Sequence, residues 1–132
     1  MNVETLKILE QQVTAIINEH IDLIVIDAKS LADARARSAK FLVAQSTLST
    51  FLKNFEDDRA KASTLTSAKY AQGIASIEGT KITEKKIGVA NDINYTNARE
   101  MQESIEEFKI WIKTHMKIFE NAHLMFRQYA RD

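Results

Sequence analysis

Hydrophobic residues in the last third of the chain recur at alternating steps of three and four, the spacing of a helix that buries one continuous face. This seam runs for more than four heptads without interruption. A third apolar column, made of Trp111, Ile118 and Met125, lies beside it. A stripe this wide usually packs against more than one helix. The seam positions are Ala98, Met101, Ile105, Phe108, Ile112, His115, Phe119, Ala122, Phe126 and Tyr129.

The same spacing predicts two earlier helices. Ser30 and Asp33 form the pattern of a capping box, with aspartate in place of the usual glutamate, so a helix should begin here. Residues 3–20 are also periodic and predict a first helix, whereas residues 21–29 allow either an extended connector or a continuation of that helix. The apolar stripe of the helix that follows Ser30 is Phe41, Ala44, Leu48, Phe51 and Phe55.

Turn residues are scarce in this sequence. It has no proline and three glycines, of which Gly73 and Gly79 bracket the expected reversal between the long helices. We therefore predict an all-α fold in which residues 30–132 form an antiparallel, coiled-coil-like hairpin. Its helices should span about 30–72 and 83–130, with either a break near 91–93 or a continuous bend. Residues 1–29 should form the N-terminal helix and connector.

A long two-helix hairpin has little interior of its own, and association with other copies is a natural source of stability. We therefore expect a homo-oligomer of unknown subunit number. His115 is a polar residue on the apolar seam, and such a residue can set register or oligomeric state. The predicted interface consists of Ile105, Phe108, Trp111, Ile112, His115, Ile118, Phe119 and Met125.

Composition narrows the possible functions. The sequence has 18 basic and 18 acidic residues, and this neutrality argues against a strong nonspecific DNA binder. There is no cysteine, no secretory signal and no apolar run of membrane-spanning length, so we expect a cytoplasmic protein without membrane contact. One Glu120–His123 pair is too little for a di-iron centre, and no nucleophile–base arrangement stands out. We predict neither enzyme activity nor a metal or other cofactor.

Basic residues gather around the predicted reversal. Lys69, Lys81, Lys85 and Lys86 cluster there with Tyr70 beside them. Cations with an aromatic ring are what a single-stranded nucleic-acid site needs, since they neutralise phosphates and stack on bases. The alternative is a solvated, lysine-rich loop. Three further cations on the second helix are weaker candidates for contacting DNA: Arg35, Arg37 and Lys40.

Residues 30–132 resemble a known group of proteins. A basic, alanine-rich helix reaches Lys69-Tyr70, a glycine turn leads to the segment 83–86, and the segment 90–92 precedes a long final helix. That helix closes with Ala122-His123 and Phe126-Arg127. This order resembles the small helical phage proteins encoded beside single-strand-binding proteins and, more distantly, the UvsY-type recombination mediators.

The resemblance implies a recombination mediator. Such proteins form rings, bind single-stranded DNA and help a recombinase to displace single-strand-binding protein, which would place this chain in the cytoplasm of a phage host. The implied DNA-contacting residues are the lysines and the tyrosine of the reversal, followed by the three cations of the second helix. The alternative function is a non-enzymatic, helical protein-interaction module, such as a scaffold, chaperone or inhibitor, that does not bind DNA.

Overall fold

The predicted all-α fold is confirmed. The computed structural model describes residues 2–76, 85, 86, 88, 89 and 92–131, and its long elements are three helices. We number them α1 (Val3–Val25), α2 (Leu31–Ser76) and α3 (Ile93–Arg131). Helices α2 and α3 pack side by side as an antiparallel hairpin, because Phe41 stacks on Phe126 near one end and Tyr70 contacts Tyr95 near the other.

Local hydrogen bonds fix where each helix begins. The side chain of Asn2 accepts a bond from the backbone N–H of Thr5 and caps α1. The predicted start of α2 is confirmed, because Ser30 Oγ accepts from the N–H of Asp33 at 3.0 Å and caps the helix. The carboxylate of Asp33 accepts from the N–H of Lys29 at 2.9 Å, one residue before the Ser30 N–H that a capping box would use. Helix α3 starts after Asp92, whose carboxylate accepts from the N–H groups of residues 94 and 95.

Arg37 joins the end of α1 to the start of α2. Its side chain is buried, and its guanidinium donates to the backbone carbonyls of Leu23, Ile26 and Asp27. It also pairs with Asp33 at 3.1 Å. These carbonyls lie at the C-terminal end of α1, where a cation compensates the helix dipole and satisfies unpaired acceptors. Arg37 therefore has a structural role, and the prediction that it contacts DNA is wrong.

Helix α1 is helical as far as Val25, and the chain then crosses to α2 through residues 26–30. It runs parallel to α3, since its first residues lie beside Trp111 and its last residues lie beside Phe126. Helix α1 has 23 residues and α2 has 46, which correspond to about 35 and 69 Å. Helix α1 therefore covers only part of the hairpin.

We call the covered part the base: α1 with residues 31–55 of α2 and 105–131 of α3. It contains a continuous core in which Phe41 and Phe119 are fully buried and the ring of His20 lies against both. The rest of the hairpin, residues 56–76 and 93–104, we call the arm. Two ion pairs cross between α2 and α3 at their boundary, Lys109–Glu56 at 2.6 Å and Arg59–Glu106 at 3.2 Å.

The base corrects part of the predicted oligomer interface. Ile105, Phe108, Ile112 and Phe119 are at most 3% exposed within a single chain, because α1 and α2 cover them. The prediction that these four side chains meet another subunit is therefore wrong.

The other four predicted interface residues differ in exposure. Trp111, His115 and Ile118 are half-buried, and Trp111 lies beside Leu6 of α1. Met125 remains 50% exposed. The width of the apolar stripe thus reflects the two helices that α3 meets within its own chain, and the homo-oligomer stays a prediction that needs a different interface.

Candidate nucleic-acid interface

Two tyrosines and an arginine meet near the end of the arm. The rings of Tyr70 on α2 and Tyr95 on α3 contact each other edge to face, with centroids 5.4 Å apart. The guanidinium of Arg99, one turn after Tyr95, lies over that ring at 5.8 Å from its centroid. Both rings are half-buried, so each keeps some surface open to solvent. We call Tyr70, Tyr95 and Arg99 the aromatic surface.

A close helix contact lies one turn beyond Tyr70. Val89 is fully buried, and a Cβ at position 73 would come within 2.9 Å of one of its methyl groups. Because Gly73 has no Cβ, Val89 can approach α2 closely. Lys85 and Lys86 lie in helical conformation about one turn before Val89. The structure therefore places both lysines at the arm end of the molecule, with Lys86 exposed and Lys85 half-buried.

The other described residues that the sequence predicts to contact DNA do not lie at the aromatic surface. Lys69 lies in a groove on another face of the arm, beside Leu65 and Met101, although it precedes Tyr70 directly. Arg35 and Lys40 are exposed on α2 in the base, and Lys40 lies about 45 Å along the helix from Tyr70. Lys81 lies outside the described residues.

The sequence that joins α2 to α3, together with the adjoining helix ends, has a mild excess of positive charge. Residues 63–99 contain five basic and three acidic residues, in a protein whose overall charge is zero. Arg99 is partly neutralised by Glu103 at 3.7 Å, and its side chain is 46% exposed. A partly exposed pair at this distance is weak, so the guanidinium keeps the capacity to contact a phosphate.

Arg99 was not among the DNA-contacting candidates that the sequence suggested. Tyr95 and Arg99 are spaced i, i+4, which brings their side chains together on one helical face. That spacing was the available signal. The pairing of Tyr95 with Tyr70 depends on how α2 and α3 are aligned, and neither helix shows this alignment by itself.

The three histidines act as structural groups. His123 Nδ1 lies 2.8 Å from the carbonyl oxygen of Ser38 and so donates to it, which joins α3 to α2. The Nδ1 atoms of His20 and His115 lie 2.7 and 3.0 Å from backbone carbonyls one turn earlier in their own helices. Among the described residues, no group of three or more histidine, aspartate or glutamate side chains is placed to hold a metal ion.

Comparisons with known proteins found no matching family model, curated protein or solved structure. Within the described parts of the chain, no helix contains a stretch long and apolar enough to span a membrane.

Proposed function

We propose that the protein binds single-stranded DNA through the end of its arm and acts as an accessory factor in DNA recombination. The observation that carries this proposal is the aromatic surface, where Tyr70 contacts Tyr95 and the guanidinium of Arg99 lies over the ring of Tyr95. A partly exposed ring supplies a face on which an unpaired base can stack, and the nearby cation attracts the phosphate. Lys85 and Lys86 add positive charge at the same end of the molecule.

The expected binding is modest and depends on salt. The aromatic surface and the two lysines together provide three cations: Lys85, Lys86 and Arg99. If each neutralises one phosphate, the logarithm of the association constant should fall with the logarithm of salt concentration with a slope of about −2. Base stacking contributes about 1–3 kcal/mol for each base, largely independent of sequence. Affinity in the micromolar range at low salt fits this arrangement.

The recombination role comes from the resemblance to phage mediators. A recombination mediator helps to replace one protein that coats single-stranded DNA with another. Weak DNA binding, together with exposed helical surface for protein contacts, is compatible with this role. In this proposal the protein partners are a recombinase or a single-strand-binding protein. The proposed activity is binding alone, which requires no cofactor.

The test is a fluorescence anisotropy titration with labelled single-stranded oligonucleotides at two salt concentrations. Tyr95→Leu removes a stacking ring, and K85E/K86E reverses two charges; both variants should weaken binding at least tenfold. Lys40→Glu is the matched control, because it reverses an exposed charge on the base and should have little effect. Absence of binding at low salt, or equal losses in all three variants, would exclude this site.

The alternative is a helical protein-interaction module without DNA binding. A pocket of about 460 Å³ between the end of α1 and the end of α3 favours it, because most of the side chains that line the pocket are apolar. Phe126 lines it, with the exposed side chains Ile26, Met125 and Tyr129 around it. Exposed apolar side chains around a pocket are typical of protein contacts. Negative DNA titrations would leave this function as the better proposal.

A further inference from the structure

A groove runs along the arm from the start of α1. Asn2 and Val3 lie at one end of it, and Leu65 and Lys69 line it from α2. From α3 it is lined by Asn94, Asn97, Ala98, Glu100, Met101 and Ser104. Its volume is about 550 Å³. We call it the arm groove. It lies on the side of the hairpin that α1 covers in the base, and here no third helix of the described chain covers it.

The arm groove exposes apolar side chains among polar ones. Leu65 is 51% exposed and Val3 is 56% exposed, and Met101 is half-buried beside them. A two-helix layer with one open apolar face gains stability when a second layer covers that face. The partner that fits should therefore present an apolar helical layer of similar length.

Charge at the groove indicates which partner this is. Lys69 is a cation and Glu100 is an anion, and neither forms an ion pair with another described residue. A surface that carries one charge of each sign beside apolar side chains can match a copy of itself. A two-fold axis that places Lys69 of one chain against Glu100 of the other also forms the same contact with the two chains exchanged. A uniformly charged partner would leave one of the two unmatched.

We propose that two copies of this chain associate through their arm grooves about a two-fold axis. The two hairpins then form an antiparallel four-helix bundle, with Leu65 and Met101 in its interior and Lys69 of each copy facing Glu100 of the other. The aromatic surface lies on a different face of the arm and remains accessible in this dimer. The proposal is independent of DNA binding.

The first experiment compares two leucines on α2. Leu65 in the arm groove is 51% exposed and Leu42 in the base is 50% exposed, so replacing each with glutamate makes the same chemical change on the same helix. Sedimentation equilibrium should give twice the chain mass of 15.0 kDa for the wild type and for Leu42→Glu, but the single-chain mass for Leu65→Glu. Circular dichroism of each variant checks that it remains helical.

The second experiment uses the charge pair and stays informative if Leu65→Glu fails to fold. Lys69→Glu alone places two acids opposite each other, and Glu100→Lys alone places two bases opposite each other, so each variant should dissociate at least tenfold more readily. An equimolar mixture of the two variants should restore a dimer, because both contacts across the axis then join opposite charges.

Three results would overturn the proposal. The first is a wild-type protein that stays monomeric up to high micromolar concentration, which would leave the groove for a different protein or for nucleic acid. The second is a dimer that Leu65→Glu and Leu42→Glu weaken equally. The third is a mixture of Lys69→Glu and Glu100→Lys that associates no better than either variant alone.

Discussion

The base and the arm are built from the same two long helices, yet they bury their side chains very differently. In the base, α2 contributes Phe41, Leu48 and Phe55 to the core, and α1 adds a third layer. In the arm, the corresponding positions of α2 are small or polar, such as Ala62 and Thr66, and α3 is the only long helix in the described part of the chain that packs against them. The residues of α3 continue the same apolar seam through both regions.

The difference shows what the third helix contributes. An apolar seam on one helix becomes a core only where enough neighbours surround it, and two helices cover less of it than three. Helix α1 begins beside Phe108, and on the arm side of that point the seam residue Met101 stays half-buried. The base therefore has a three-helix core, whereas the arm leaves more of its surface open to contacts with other molecules.

The largest expected effect comes from truncating the centre of the base. Phe119→Ala removes a fully buried ring that contacts His20 and Phe41 and should lower the free energy of unfolding by about 3–5 kcal/mol. Met101→Ala in the arm removes a half-buried side chain and should cost less than about 1.5 kcal/mol in the monomer. Urea unfolding followed by circular dichroism at low protein concentration measures both. Equal losses would mean that the arm is packed as well as the base.

A smaller effect is expected at the close contact in the arm. Glycine to alanine inside a helix normally stabilises it by up to about 1 kcal/mol. At Gly73 the new Cβ would lie 2.9 Å from a methyl group of Val89, whose stiff, buried side chain has little freedom to move. Gly73→Ala should therefore destabilise the protein by about 1 kcal/mol.

The double variant Gly73→Ala/Val89→Ala is the control for this contact. It removes the methyl groups that would clash, so Gly73→Ala should lower the free energy of unfolding less in the Val89→Ala background than in the wild type. Thermal unfolding of the two single variants and the double variant measures the coupling between these positions. Additive effects would show that Val89 and Gly73 do not restrict each other.

Much of the architecture could be predicted from local signals. The fold class follows from periodicity and from the lack of proline, and the start of α2 follows from Ser30 and Asp33, because the spacing of these residues directly specifies a cap. Both signals lie within a few residues of each other in the sequence. Neither signal depends on tertiary packing.

The errors came from contacts between distant segments. Arg37 looks like an exposed cation in the sequence, but the end of α1 buries it against backbone carbonyls. The breadth of the seam on α3 indicated a second subunit, whereas α1 of the same chain covers much of it. The contact between Tyr70 and Tyr95 in the aromatic surface depends on how α2 and α3 are aligned, and local sequence patterns do not specify this alignment. Each case depends on a length or register that only the packed structure provides.

The smallest expected effect lies at the boundary between the base and the arm. Hydrogen bonds from Lys109 and then from Arg59 hold the pKa of Glu56 below its ordinary value of 4.5. Because the folded-state pKa is the lower one, this carboxylate stabilises the fold above the ordinary pKa. The contribution is lost as the pH falls through the folded-state value. The effect is small because the ion pairs are partly exposed.

Glu56→Gln should therefore lower the Tm at neutral pH and have little effect in strong acid, where Glu56 is protonated in the wild type as well. Thermal scans from neutral pH to about pH 2 measure this convergence. The same substitution in a Lys109→Met background should have a smaller effect at neutral pH. Lys109 makes the largest contribution to the lowered pKa of Glu56, and this background lacks it. A loss that is equal at all pH values would show that Glu56 joins the base and the arm through packing rather than charge.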